Sequence, residues 1–509
     1  MTVPKGLRGR TGLLLLALLF AACVIWRLDQ TANNDVAWYL YAAGTLLDGG
    51  VPYDDIFFEV NPPLMLYLTV PAVAAARLAG LFVVDAYFLY VFAVIALSLA
   101  LTWRVLDGQQ VLRKGLLIVA PFVLIILPAG DFGQREPMMI TLAMPYLALA
   151  IRRVEGRSCP MALAVLVGVL AALGFAIKPH FLLVPVLLEV HRLSYSRDPR
   201  GLFRGETLAL AAVVALYLAS ILIFTPDYVG RVVPFALEVY NAAYRNSLGF
   251  VMDRPEAWLL PGTLIVHGLT RRRQRFALTG DVFMVACVGF FVAYLAQMKG
   301  WNYHIYPTRA MLVMTLGLMV AGALMDSREA NPRPRLSRAI TLAAIAVLAG
   351  LSLRPLVLSG YYNEYLDRLL PIVRQHAAGK AIYFISSNTW TGFPLVTYAD
   401  VEWSSRAASL WLLPGFVQAR QAGEMTPGMR DIERYTIDTV VADLTATPPA
   451  LILLDERRDK PWYGGIDFDF IAFFSTDPRF VAIWHNYERV AVIEEFHVYR
   501  RVDSGTAVP

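Results

Sequence analysis

Four polar islands interrupt an otherwise apolar chain: Asn33-Asn34-Asp35 with Asp54, Asp55 and Glu59; Asp131 to Glu136; Lys178-Pro179-His180; and Lys299 to His304. Carboxylates of the first island are candidate general bases, Arg135 and Glu136 of the second are candidates to orient a bound molecule, and the lysines and histidines of the others are candidate anion ligands. Ionisable groups at the ends of apolar helices are costly, so both signs gathered on one side of a membrane mark a place where something charged is handled. All four islands can be placed on one such side.

The elements that must position them are set by composition. Of 509 residues 57% are hydrophobic and only 17% are charged, well below the quarter usual in soluble domains. This is the composition of a polytopic membrane protein. The net charge of +5 is spread through short loops such as Arg271-Arg272-Arg273, as positive-inside bias requires, which argues against nucleic acid as a partner. Three cysteines, Cys23, Cys159 and Cys287, make neither a disulfide framework nor a metal cluster. The basic N-terminus and the apolar run behind it resemble a signal peptide, and Phe20-Ala21-Ala22-Cys23 approaches a lipoprotein box. Because the chain stays apolar through Trp26, an uncleaved first span with its N-terminus cytoplasmic is the better reading.

Apolar runs fall at about 11–26, 86–103, 115–129, 137–151, 161–177, 180–191, 206–225, 256–269, 281–298, 306–325 and 339–357, some eleven spans. The basic loops then share the side of the N-terminus. The run Pro62 to Leu81 breaks that parity and is read as an interfacial or re-entrant helix, with Pro62-Pro63 fixing its first turn. Two outer loops remain, 27–62 and 226–255. Val36, Tyr39, Leu40, Ala43, Leu46 and Leu47 repeat at helical spacing in the first, and Tyr228, Val232, Phe235, Val239 and Ala242 in the second, so each is expected to carry an amphipathic helix over the spans. Beyond the membrane part, 1–358, polar residues return. Strand-like runs Ala381 to Ile385, Ala450 to Leu454 and Arg489 to Ile493, with a helical stretch from Met429 to Val441, predict an extracytoplasmic α/β domain over 359–509. The expected fold is a polytopic α-helical membrane protein with a C-terminal α/β domain.

Each island has a plain structural reading beside the chemical one. Asp35 suits the N-cap of the helix that follows. Arg135 can pair with Asp131 or Glu136 in a polar turn, Lys178 can snorkel to headgroups, and Lys299 to His304 can belong to an interfacial aromatic belt. On the chemical reading Asp35 is the base, shielded by Trp38, Tyr39 and Tyr41, with Asp54, Asp55 and Glu59 as second candidates. Substrate contacts fall to Arg135, Glu136, Lys178, His180, Lys299, Trp301, Tyr303, His304 and Arg309. Trp390, Trp403, Trp411 and Trp462 suit sugar stacking, but an ordinary core is the expectation for them.

The order of an acidic residue at 35, Tyr39-Leu40-x-Ala42-Ala43, Gly50-x-Pro52-Tyr53-x-Asp55 and Pro62-Pro63-Leu64 resembles the membrane-embedded GT-C glycosyltransferases, in particular the protein mannosyltransferase and aminoarabinose transferase branch. The resemblance covers residues 1 to about 200 and, in layout, the remainder. It makes Asp35 the catalytic aspartate; many members carry Asp-Glu at this point, whereas Val36 follows here. It implies an inverting transferase that moves a sugar from a polyprenyl-phosphate donor to a glycan, lipid or protein acceptor, on the outer face of a bacterial inner membrane. A lipid-linked glycan polymerase or ligase and a sugar or lipid transporter are the alternatives. Clustered carboxylates suit magnesium or manganese, but the family is mixed in metal use and no metal or other cofactor is expected.

Overall fold

The computed structural model describes residues 20–326 and 363–502, with a few isolated positions outside them. The expected run 11–26 is described from residue 20 and is helical through 28, and the run 339–357 lies almost wholly outside the described residues. The intervening runs from 86 to 325 all fall on helices, because each is a long apolar stretch closed by glycine, proline or a basic turn. Among the described residues three helices, Val83–Val105, Gly205–Phe224 and Ala277–Gln297, are long and apolar enough to cross a membrane. Gly205–Phe224 leaves Leu216, Leu222, Ile223 and Phe224 exposed, a surface suited to lipid.

At the centre stands helix Arg135–Val154, buried along almost its whole length between Val83–Val105 and Met161–Phe175. Its first residues are the polar Arg135 and Glu136, so the DFGQRE island sits at the head of the most buried helix. Gly133 makes the turn into it at φ 79°; a Cβ there would strike the Tyr87 ring, whose hydroxyl donates to the Gly133 carbonyl at 2.5 Å. Arg27, buried, donates to the Ala129 and Ile125 carbonyls at 2.8 and 2.7 Å and ties the first outer loop to the same turn.

Helix Asn34–Leu47 begins where Asn33 accepts the Asp35 backbone N–H at 2.9 Å. The cap is therefore Asn33, and the Asp35 carboxylate is released for other partners. This helix does not lie on a lipid surface as an amphipathic strip: Val36, Ala37, Trp38, Tyr39, Leu40, Ala42 and Ala43 are all buried, because it is clamped between helix Leu64–Ala79 and the C-terminal region. Leu64–Ala79, the parity-breaking run, is 16 residues, about 24 Å at 1.5 Å per residue and short of a hydrocarbon core.

The C-terminal region carries a five-stranded sheet: β1 (Ala381–Ile385), β2 (Glu402–Trp403), β3 (Leu451–Asp455), β4 (Tyr487–Ile493) and β5 (Phe496–Arg501), in the order β2-β1-β3-β5-β4. The first three are parallel, with Ile382 opposite Leu451, and β5 runs antiparallel to β3. β1 and the first four residues of β3 are apolar runs buried on both faces, as parallel strands covered by helices require. The region docks on the first outer loop through Trp411 Nε1 to the Phe58 carbonyl (3.0 Å), Phe58 N–H to the Arg406 carbonyl (2.9 Å) and Trp403 N–H to the Tyr41 hydroxyl (2.8 Å).

The second outer loop is helical from Tyr228 to Ala243, turning into its neighbour the buried Val232 and Val239. It meets helix Leu413–Ala422, where Gly415 lets the Val239 backbone carbonyl approach too closely for any Cβ. Gly415→Val should overpack this junction and destabilise the protein by about 1–3 kcal/mol. A lower melting temperature in detergent, with faster proteolytic cleavage between residues 226 and 252, is the expected readout.

Candidate functional site

Asp35 sits in the first turn of its helix with its side chain about one-fifth exposed toward a cavity. Its Oδ2 accepts from Arg135 Nη2 at 2.5 Å and Gln134 Nε2 at 2.7 Å, and its Oδ1 from Asn34 Nδ2 at 3.1 Å. Arg135 also reaches Glu59 at 3.6 Å, Tyr39 Oη at 3.3 Å and Tyr303 Oη at 3.4 Å. One guanidinium thus joins two of the four acidic candidates of the first outer loop, Asp35 and Glu59, to the central helix. Burial pushes the Glu59 carboxyl up, opposed by the Arg135 charge. Asp131, which accepts from Asn33 Nδ2 at 3.2 Å, is pushed up to about 7 by burial and then by the Glu136 charge.

Behind this layer lies a second, fully enclosed pair. Lys178 Nζ donates to Glu136 Oε1 at 2.5 Å and approaches His304 Nε2 at 3.0 Å and Gln297 Oε1 at 3.3 Å. Burial lowers Lys178 to about 8 against the pull of Glu136, and pushes His304 well below its ordinary value. His180 packs its ring on Phe181. Lys299 rests its ammonium 3.8 Å from the Tyr240 ring centroid and 5.3 Å from that of Tyr244. Burial, then repulsion from Lys178, lowers it to about 7.

The cavity of about 460 Å³ is lined from the membrane part by Asp35, Glu59, Gln134, Arg135, Trp301 and Tyr303. Glu136, Lys178, His180, Lys299, His304 and Arg309 do not line it, although Lys178, Lys299 and His304 lie against rings that do: Lys178 5.4 Å from the Tyr303 centroid, Lys299 against Tyr240, and His304 beside Trp301 and Tyr303. Arg309 is committed elsewhere, to Glu256 at 2.5 Å and Asn302 at 2.9 Å. Asp54 and Asp55, expected as second bases, are exposed away from the cavity: Asp55 accepts the Val51 N–H at 3.0 Å and Asp54 lies 3.9 Å from Arg231. The tight turn at Tyr53, φ 68°, sends them outward while Glu59 returns inward. Among the described residues no three His, Cys, Asp or Glu side chains come together as metal ligands.

Several lining residues escaped the sequence reading. Arg254, from the second outer loop, contributes a guanidinium anchored on the Gly300 carbonyl, and Asn61 donates to Glu59. Trp390 and Trp462 line the cavity, Trp411 both lines it and is buried in the core against Phe58 and Tyr240, and Trp403 is packed inside the C-terminal region against Tyr383 and Phe393. Basic and aromatic residues in outer loops were signals for Arg254 and the tryptophans; their convergence was not readable.

No protein-family profile matches the chain, and no curated protein does. Among solved structures it is similar to ArnT from Cupriavidus metallidurans bound to undecaprenyl phosphate, with a TM-score of 0.57 over 97% of this chain and 98% of that one at 13% identity. Arabinofuranosyltransferase AftD from Mycobacteria gives a TM-score of 0.45 over 96% of this chain and 41% of that one at 14% identity. The chain has the GT-C fold. With its long apolar helices and lipid-suited exposed faces, it is a multi-pass membrane protein.

The enclosed pair makes a direct test of this architecture. Glu136→Ala strands the Lys178 ammonium and should cost about 3–5 kcal/mol, whereas adding Lys178→Met should recover most of the loss. Thermal melting of the detergent-solubilised variants reads both.

Proposed function

We propose that the protein is an inverting glycosyltransferase that moves a sugar from a polyprenyl-phosphate donor to an envelope acceptor at the outer face of a bacterial inner membrane. On this reading the N-terminus is cytoplasmic and residues 359–509 form an extracytoplasmic domain. The observation that carries it is the union of Asp35, Glu59, Arg135 and Arg254 around one cavity whose volume falls in the ~300–1,000 Å³ range of small-molecule sites. The GT-C fold, and the undecaprenyl phosphate bound to ArnT, support a lipid-phosphate donor.

The acceptor hydroxyl attacks the anomeric carbon, its oxygen forms the new glycosidic bond, and the bond from that carbon to the phosphate oxygen breaks with its electron pair on the phosphate. Asp35 takes the hydroxyl proton. Its Oδ2 is engaged by Arg135 and Gln134, while Oδ1 accepts from Asn34 and keeps a lone pair for the acceptor. The leaving phosphate gathers charge, which Arg254 and Arg135 meet directly and Lys299 from behind Tyr240. The polyprenyl phosphate monoester leaves without prior protonation, so one base suffices, and attack opposite the phosphate inverts the centre. The reading assigns no cofactor.

Purified protein incubated with a panel of radiolabelled polyprenyl-phosphate sugars and membrane extract should transfer label. Asp35→Asn should lower the turnover rate by about 10²–10⁴-fold with donor affinity little changed; transfer at the wild-type rate would remove Asp35 as the base.

Donor affinity also acquires a pH signature. The donor phosphodiester keeps one negative charge from pH 6 to 9, whereas Lys299, lowered to about 7 by burial, is cationic below that value and neutral above it. Affinity should therefore fall as pH rises through about 7. Lys299→Arg, which stays charged, should flatten that fall in a fluorescent-donor binding assay.

A further inference from the structure

The wall of the cavity facing Asp35 comes from the C-terminal region, and from one particular part of it. Ser387, Asn388 and Trp390 follow the carboxyl end of β1, Ser409 follows β2, and Trp462 follows β3. In the order β2-β1-β3-β5-β4 the chain leaves β1 toward one edge of the sheet, to β2, and leaves β3 toward the other, to β4, so the connections part between the parallel neighbours β1 and β3. The crevice outside the carboxyl ends at such a switch point is where open parallel sheets bind ligands. Here that crevice opens into the same cavity as the carboxylate of the membrane part.

We propose that this crevice is a subsite for an uncharged, hydroxyl-rich sugar ring of the acceptor, with Asn388 as its central hydrogen-bonding group and the indoles of Trp390 and Trp462 as its walls. The assignment to the acceptor rests on Asp35 acting as the base. The Asn388 side chain is only 6% exposed, and its Nδ2 has no hydrogen-bond partner among the described residues. A buried amide donor left unpaired is disfavoured, and it calls for a partner that is not part of the chain.

The backbone beneath Asn388 is rigidly held, so the open donor does not come from a loose loop. Its N–H donates to Ser386 Oγ at 3.1 Å, Ser386 Oγ donates to Asp455 Oδ2 at 2.9 Å, and the Asn388 carbonyl accepts from Thr391 Oγ1 at 2.7 Å. Asp455 is neutralised by Arg457 at 2.5 Å, whose guanidinium carbon lies 5.0 Å from the Trp390 ring centroid. Trp462 is held at φ 74°, a conformation that bulky residues avoid, with its carbonyl accepting from Gln418 Nε2 at 2.5 Å. Its ring lies 5.2 Å from that of Tyr244 and 5.7 Å from that of Trp301, which places it at the seam between the two parts of the chain.

Charge decides the ligand class. The groups this wall presents are amide, hydroxyl and indole, and the Asp455 carboxylate behind it is paired with Arg457, whereas the guanidinium groups that line the cavity, those of Arg135 and Arg254, come from the membrane part. A few convergent polar groups set between aromatic faces suit a neutral pyranose or furanose.

The test is binding, measured separately from catalysis. Full-length protein in detergent is titrated by saturation-transfer NMR with neutral methyl glycosides: glucopyranoside, mannopyranoside, galactopyranoside and arabinofuranoside. At least one should bind the wild type, and Asn388→Ala should weaken it at least tenfold. Asn388→Asp, which keeps the shape but replaces the donor with an acceptor, should weaken it likewise and serves if the alanine variant does not fold. Failure of every glycoside to bind, or wild-type affinity in both Asn388 variants, overturns the subsite. Undiminished sugar transfer by Asp35→Asn would instead overturn the catalytic reading and leave glycoside binding as measured.

Discussion

A guanidinium buried at the head of the central helix holds two carboxylates from a loop about a hundred residues earlier, and the remaining geometry hangs on that attachment. Arg135 reaches Asp35 at 2.5 Å and Glu59 at 3.6 Å, across a sequence separation of 100 for the first pair. Removing an arginine from water is expensive unless planar partners satisfy it, and here they come from the loop that must be fixed. Because Arg135 opens the most enclosed helix of the bundle, Asp35 inherits the rigidity of the membrane core even though it stands in the first turn of a short outer helix. The Glu136 to Lys178 pair one residue further in does the same for the turn between the next two helices, and backs the cavity without entering it.

Much of this was legible. Apolar runs closed by basic or glycine-containing turns marked the helices, and strands β1, β3 and β4 were visible as short branched or aromatic runs at nearly their observed positions. The polar islands pointed to Asp35, Glu59, Arg135, Trp301 and Tyr303, all of which line one cavity. The failures have physical causes. Asn33 and Asp35 are both good helix caps, and only the fold shows that Asn33 takes the role and frees the aspartate. Asp54 and Asp55 lie within five residues of Glu59, but a left-handed residue at Tyr53 reverses their direction. The C-terminal wall was invisible because β2 is two residues long and so carries no periodicity. Without it the strand order, and hence which strand ends face the membrane part, cannot be read.

The burial of helix Asn34–Leu47 has a similar lesson. Its pattern is amphipathic on one face, yet Trp38 is covered by Phe57 on one side and Phe393 on the other, more than three hundred residues apart. Alanines at 37, 42 and 43 supply the second contact surface, since small residues let the covering segments approach. Hydrophobic periodicity marks the face a helix must hide and is silent about small residues that permit a second one.

One consequence follows from the cavity having walls from both ends of the chain. Water is the rival nucleophile in any transfer to an alcohol, and a bound glycosyl phosphate survives only where bulk solvent is kept from its anomeric carbon. The tryptophans at 390, 411 and 462 form part of the cavity wall that the C-terminal region supplies. On the transfer proposed above, the sheet-bearing region would separate synthesis from wasteful hydrolysis, and a chain deprived of it would squander activated sugar.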